Sequence, residues 1–539
     1  MGRFLLLLRA QALRERWQVA FWVLGIALLC FGASAAVAAE FGQEAERAAI
    51  VAVAAANPAF LFLRGSPDGT GIGAVVFFQG FAFTAVLAGL MGTFLVVRHT
   101  RADEERGRAE LTASAPLPRA AQLGATLCLG AGACALLAAL SAAGFAAGGL
   151  PWPGAGLAGG AVGAVGLFFV AVAALLAQLL PTARAANGAA AAGVGAAYLL
   201  RGIGDALGTP DRDLARVEPA WPSLLSPIGW GQRTTPFSSP DPLPLLVPLG
   251  AALLVAALAL AVRAHRDLGA SLVPVRSGRP RAAPWLCSFA GVAWRMHRAP
   301  LAGWAAGAAA LGAIAGGFGP VAAGAVAGND SLAELIGRLV PGSRAGVVDV
   351  FTAALLGMAG IFAAAAGVQA VLRMRTEEMD GRAELLLSVP RSRARWCGAN
   401  VLVAALSATA VSAAAGAAAA AALLASGDGS RHAAAMVPAA LAHVPAALVV
   451  TAAAALAVAV FPLASIPLGW GILVAALVLG QFGELLRLPG WLRSASPFAH
   501  SSALPVEDLD ATAALVMLAV AALAAGASAG LLRARDLAP

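Results

Sequence analysis

Long apolar runs alternate with short arginine-bearing segments from one end of this chain to the other. A membrane-crossing helix needs about 20 mostly apolar residues. Measured that way, the pattern predicts helices over roughly 18–39, 74–97, 121–149, 157–180, 186–207 and 244–263, then over roughly 299–321, 347–372, 396–425, 434–460, 463–485 and 511–532. Residues 264–298 separate the two sets and carry Pro274, Pro280 and Pro284. This stretch reads as a cytoplasmic linker, too short for a domain, that ends in a second interfacial helix. The expected organisation is a transmembrane half over 1–263, the linker over 264–298 and a second half over 299–539. The N-terminal apolar run is long enough to span and follows Arg3, Arg9, Arg14, Glu15 and Arg16, which argues against a cleaved signal peptide.

Composition agrees with the pattern. The chain is 60% hydrophobic and only 12% charged, where a soluble protein is about 25% charged. Its mean hydropathy is +0.82. The net charge of +8 is not gathered into a basic domain, so nucleic-acid binding is not expected. The arginines instead concentrate on segments that would share a side with the N-terminus, including Arg98, Arg101, Arg106, Arg108, Arg119, Arg263, Arg266, Arg373, Arg375, Arg382 and Arg393. The positive-inside rule then expects both termini in the cytoplasm of a multi-pass protein of the cell membrane.

Lysine is absent; all 36 basic residues are arginine. A P-loop uses its lysine to reach nucleotide phosphates, so no such site can be built from this sequence. Lysine Schiff-base chemistry is excluded in the same way. The five cysteines form no C-x-x-C pair and the six histidines no H-E-x-x-H pair, so a metal site is not expected.

An internal repeat is plain. Residues 101–119 read RADEERGRAELTASAPLPR and residues 375–393 read RTEEMDGRAELLLSVPRSR. Without gaps they share Arg101/Arg375, Glu104/Glu378, Gly107/Gly381, Arg108/Arg382, Glu110/Glu384, Leu111/Leu385, Pro116/Pro390 and Arg119/Arg393. Both copies follow the second predicted span of their half. Fainter echoes are Ser226-Pro227 with Ser496-Pro497, and Gly204-Asp205 with Gly483-Glu484. Six spans per half is an even number, so the halves form a parallel repeat. The fold expected is an all-α integral membrane protein of about twelve transmembrane helices in two parallel six-helix repeats.

The repeated segment reads as one charged amphipathic helix. Glu104 with Arg108, Glu378 with Arg382, Arg101 with Glu105 and Arg106 with Glu110 each have the four-residue spacing of helical ion pairs. Gly107 and Gly381 then fall mid-helix, at a cost of about 1 kcal/mol relative to alanine, which suggests close approach by another backbone. Arg3–Trp17 and Trp285–Arg298 suit interfacial lead-in helices.

The E-E-x-G-R-x-E-L-x-x-x-x-P-x-x-R segment resembles that of the membrane subunit of ABC exporters of the type-two class, in particular the polyketide-antibiotic and multidrug efflux branch. The order of features resembles that class over nearly the whole chain, as does Leu225–Trp230. The resemblance implies a permease subunit with no ATPase site of its own. It also implies a cytoplasmic coupling helix after the second span of each half, docking on a separate ABC ATPase. The matching positions are Glu104, Glu105, Gly107, Arg108, Glu110 and Leu111, and then Glu377, Glu378, Gly381, Arg382, Glu384 and Leu385. Met379 and Asp380 depart from Glu105 and Arg106, so the two surfaces need not be equal. Two docking helices imply two ATPase copies, with ATP and Mg held there and no cofactor on this chain. The other implied partners are membrane lipids and a hydrophobic or amphipathic substrate moved out of the cell.

A drug/proton antiporter of the major facilitator kind is the alternative, since it too has two parallel six-span halves. Its loop after the second span is short and basic, and ion-coupled carriers often hold acids mid-membrane. Here Asp205, Glu484 and Asp349 fall near span ends, where capping or snorkelling accounts for them. A membrane enzyme is a third reading, but the acids of the outer loops have no nucleophile or base beside them.

Overall fold

A computed structural model of the chain describes residues 2–55, 58–274, 280–327, 347–388, 390, 392–425, 430–481 and 489–536. It is overwhelmingly helical. Among the described residues the one strand pair is a two-residue antiparallel ladder, Thr209–Pro210 with Val217–Glu218.

The chain divides into two compact units, Met1–Ser277 and Gly278–Pro539. The first contains α1 (Gly2–Glu40), α2 (Ile72–His99), α3 (Ala121–Ala147), α4 (Trp152–Leu179), α5 (Ala183–Ala206) and α6 (Leu246–His265). The second contains α7 (Phe289–Ala327), α8 (Val347–Met379), α9 (Arg393–Ala425), α10 (Val444–Val460, led by a shorter helix Ser430–Leu441), α11 (Ser465–Gln481) and α12 (Ala511–Ala534). Each of the twelve predicted windows meets a helix. Among the described residues ten helical stretches are long and apolar enough to cross a membrane. The other two are α5, which carries Arg184, Arg201 and Asp205, and α11, which is short. The far end of the window at 463–485, with Gly483-Glu484, lies outside the described residues.

Burial follows what each helix meets. In the first unit α2 and α4 are mostly buried, whereas α1 and α6 expose most of their apolar surface; in the second unit α8 and α10 are buried and α12 exposed. Lipid is as apolar as leucine, so a lipid-facing side chain is not penalised and close packing must come from small residues. Gly312 and Gly316 of α7 illustrate this. An added Cβ would press on the carbonyl oxygens of Ala415 and Ala419 of α9.

The lead-in segments correct the expectation of separate interfacial helices. Residues 3–17 are the first turns of the continuous α1, and in the second unit a short turn, Pro284–Cys287, runs into the continuous α7. In α1 these turns pack inward through side chains. Gln11 meets Thr126, Glu15 lies between Arg98 and His99, and Arg14 forms two hydrogen bonds to Asp103 at 2.8 and 3.0 Å.

Asp205 also departs from expectation. It is fully buried, 3.1 Å from the fully buried Arg201 one turn earlier. Arg201 also donates to the carbonyls of Leu61 and Phe62. The pair anchors the segment Pro58–Arg64 against α5 and does not snorkel. Glu484 and the side chain of Asp349 lie outside the described residues.

Candidate functional site

The repeated segment does not form one helix. In the first unit Thr100 ends α2 with φ −118° and ψ −93°, a short helix covers Arg101–Glu105, and a second covers Arg108–Ala113. In the second unit α8 runs on to Met379 and a short helix covers Arg382–Leu387. Between the pieces stands Gly107 or Gly381, in the left-handed region at φ 70°, ψ 1° and φ 69°, ψ 1°. A Cβ on either would meet nothing within 4 Å. These glycines therefore serve a positive φ and not a close backbone approach, which corrects the mid-helix reading. A left-handed residue other than glycine costs about 1–2 kcal/mol, with Asn the best tolerated. Gly107→Ala or Gly381→Ala should lower thermal stability or mis-aim the loop, and Gly→Asn should recover much of the loss. Melting of the purified chain, followed by fluorescence, checks this.

The bend also redistributes the charges. None of the four expected pairs forms among the described residues. Instead Glu104 lies between Arg101, at 2.9 Å, and Arg266. Glu378 lies between Arg375, at 3.2 Å, and Arg535, at 2.7 Å. Each cluster is buried except for a partly exposed Arg535. Arg266 and Arg535 occupy the same place in their units. Each is the C-terminal cap of the last helix, α6 or α12, with φ −92°, ψ 136° and φ −90°, ψ 143°. Each also donates to a carbonyl near the end of the fourth helix, Arg266 to Gln178 at 3.4 Å and Arg535 to Val458 at 3.1 Å. Burial pulls the Arg266 guanidinium below its ordinary pKa, against the opposing pull of Glu104. An Arg–Glu–Arg cluster thus fastens the loop after the second helix to the end of the sixth, in both units.

Across the bend, Arg108 reaches back to Asp103 at 3.6 Å, and Arg382 to Glu377 at 2.7 Å. That contact holds the Arg382 guanidinium above its ordinary pKa. Glu105 accepts a hydrogen bond from the Ala183 amide at the start of α5, at 2.8 Å. Met379 cannot do this.

The twelve expected docking residues therefore fall into two groups. Glu104, Glu377 and Glu378 are turned inward and hold the loop. Glu105, Arg108, Glu110 and Leu111, with Arg382, Glu384 and Leu385, are exposed, and the two glycines set the angle between the groups. Leu111 is 77% exposed and the equivalent Leu385 76%. The sequence pattern gives Arg266 only as one of the arginines on the side of the N-terminus and does not single out Arg535. A signal was present: Arg266-Asp267-Leu268 and Arg535-Asp536-Leu537 form a second repeat, one at the end of each half. Arg119 and Arg393, already paired by the first repeat, sit 4.0 Å from Asp267 and Asp536.

The Ser-Pro echo also has a physical basis. Ser226 donates to Ala197 of α5 at 2.6 Å while capping the short helix Pro227–Gln232. Ser496 donates to Ala476 of α11 at 2.7 Å while accepting from the Phe498 amide. Both serines are buried.

Residues 286–533 match the family model described as the C-terminal domain of the multidrug efflux system permease Rv1217c. The chain is also 33% identical over 536 residues to the multidrug efflux system permease protein Rv1217c of Mycobacterium tuberculosis, covering 98% of this chain and 94% of that protein.

Proposed function

This chain belongs to the family of multidrug efflux system permeases, and we propose that it is the membrane subunit of an ATP-driven ABC exporter whose ATPase is a separate chain. In this reading it has twelve spans in two parallel six-helix repeats, with α5 and α11 as the fifth span of each. Both termini and both bent loops face the cytoplasm. Each loop is a coupling element that takes one ATPase copy, so the complex holds two. ATP and Mg belong to those subunits. Hydrophobic or amphipathic compounds leave the cell through the permease.

One observation carries the reading. The same bent loop recurs in both units, with a left-handed glycine, a buried Arg–Glu–Arg root and a leucine held out at its tip. Exposed ion pairs contribute only about 0.2–1 kcal/mol, so charge on the loop surface does little for stability. A root of three charges gathered round a buried glutamate is a different matter. It ties any displacement of the tip to the ends of the fourth and sixth helices, as a coupling element requires. The major facilitator alternative needs a membrane-embedded proton carrier, and Asp205 is held by Arg201 instead.

The test is stoichiometry. Gently extracted from native membranes, the tagged chain should bring with it a nucleotide-hydrolysing subunit at about two copies per chain. A chain that purifies alone and still moves substrate on a proton gradient would overturn the proposal.

A further inference from the structure

A cavity of about 370 Å³ opens on the coupling-loop side of the first unit, between the start of α1, the start of α3 and the end of α6. Small-ligand sites span about 300–1,000 Å³. Its walls combine two chemistries. Leu7, Leu117 and Leu268 are apolar, while Arg119, Arg263 and Arg266 are cationic. The one acid in the lining, Asp267, is almost wholly exposed and reaches only Arg119, at 4.0 Å.

Arg263 is the distinctive residue. It is 7% exposed, and among the described residues its side chain makes one long hydrogen bond, of 3.4 Å, to the carbonyl of Arg266. Among the described residues no carboxylate lies within 4 Å of it. Beside it, the buried Nε of Arg266 has no hydrogen-bond partner among the described residues. A buried cation without a counter-charge is strongly disfavoured, and here two guanidiniums share one wall with a single carboxylate, Glu104, already divided between Arg101 and Arg266. The wall of the cavity therefore carries net positive charge.

The second unit supplies an internal control. There the sequence before the capping arginine is Arg533-Ala534-Arg535, one residue shorter than Arg263-Ala264-His265-Arg266. One helical residue is about 100° of rotation, and Arg533 is exposed. The inserted His265 is what turns Arg263 inward.

We propose that this cavity binds the phosphate headgroup of an anionic phospholipid from the leaflet on the coupling-loop side. Arg263 and Arg266 face the phosphate, and Arg119 closes the site from solvent. Basic pockets at the cytoplasmic ends of membrane helices suit such headgroups. The leucines favour a lipid over a free phosphate: Leu7 sits in the wall, and Leu6, about 100° round the same helix, exposes apolar surface for the acyl chains. The site belongs to one unit only and does not depend on an ATPase.

Native mass spectrometry of the full chain, titrated with short-chain phosphatidylglycerol, tests the proposal. One lipid per chain should persist under activation that strips phosphatidylcholine of the same chain length. Charge-assisted hydrogen bonds are about twice as strong as neutral ones, so Arg263→Gln should weaken retention by about ten-fold. Arg119→Glu should act alike and is safe for folding, because Arg119 is mostly exposed. Arg533→Gln should change nothing. Wild-type retention in both Arg119→Glu and Arg263→Gln, or equal retention of phosphatidylcholine, would overturn the proposal. Displacement of the lipid by inorganic phosphate at equal concentration would overturn the lipid assignment and leave a free-phosphate site.

Discussion

Replacing Glu378 with leucine should unseat the bent loop of the second unit and cost about 3–5 kcal/mol, the range for stranding a buried charge by deleting its partner. The Glu378 side chain is 1% exposed and accepts from Arg535 through both oxygens at 2.7 Å. Leucine leaves the guanidiniums of Arg375 and Arg535 facing each other without the carboxylate between them. The expected result is a purified chain that melts well below wild type and transport that is lost. Glu104→Leu should do the same in the first unit, where Arg101 and Arg266 would be left in place. A double-mutant cycle separates the ion pair from plain cavity damage. Glu378→Leu with Arg535→Leu should cost less than the two single changes added, by about 0.5–3 kcal/mol, the coupling seen for residues in one network. Strict additivity would mean that Arg535 and Glu378 do not stabilise one another, and the root of the coupling element would have to be sought elsewhere.

The same cluster shows which parts of the molecule could be read in advance. Apolar run lengths located every long helix, because a membrane span must satisfy its own backbone within a nearly continuous apolar segment. The loop repeat was legible because identity in register needs no geometry to be seen. Its shape was not. Four acid–base spacings matched a straight helix, and a glycine inside such a pattern is ordinarily tolerated. Only the backbone at Gly107 and Gly381 reveals the bend that sends Arg108 back to Asp103 and Arg382 back to Glu377. The partners of Glu104 and Glu378 were further out of reach, lying 162 and 157 residues later in the chain. The repeated Arg-Asp-Leu at the end of each half was the available clue. The fifth helices were recognised by their apolar runs, yet Arg201 and Asp205 there were taken as end effects because a charge pair one turn apart looks alike exposed or buried. Burial is a property of what packs around α5, including the Pro58–Arg64 segment that the apolar pattern leaves unassigned.

Leu111→Asp and Leu385→Asp should leave the fold intact and remove the ATPase. Single exposed leucines are ordinary on protein surfaces. Two of them stand at matching positions, each on a short helix set at an angle by a left-handed glycine, and under the proposed function they are the docking anchors. A buried apolar anchor at the centre of an interface is worth about 2 kcal/mol or more on truncation, or roughly 30-fold in affinity. A carboxylate placed in an apolar pocket does worse, since it must also be desolvated. Because the leucines are three-quarters exposed in the chain itself, neither change should alter stability by more than the few tenths of a kcal/mol usual for surface sites. The readout is the number of ATPase copies that co-purify. Each single variant should fall from two copies to one, and the double variant should retain none. The loops differ at Glu105/Met379 and Arg106/Asp380, so the two single variants need not lose affinity equally. Met379 is a further exposed apolar side chain on the second loop, so the second loop should be the tighter of the two. A double variant that keeps both ATPase copies would show that the tips are not the docking surface, however faithfully they repeat.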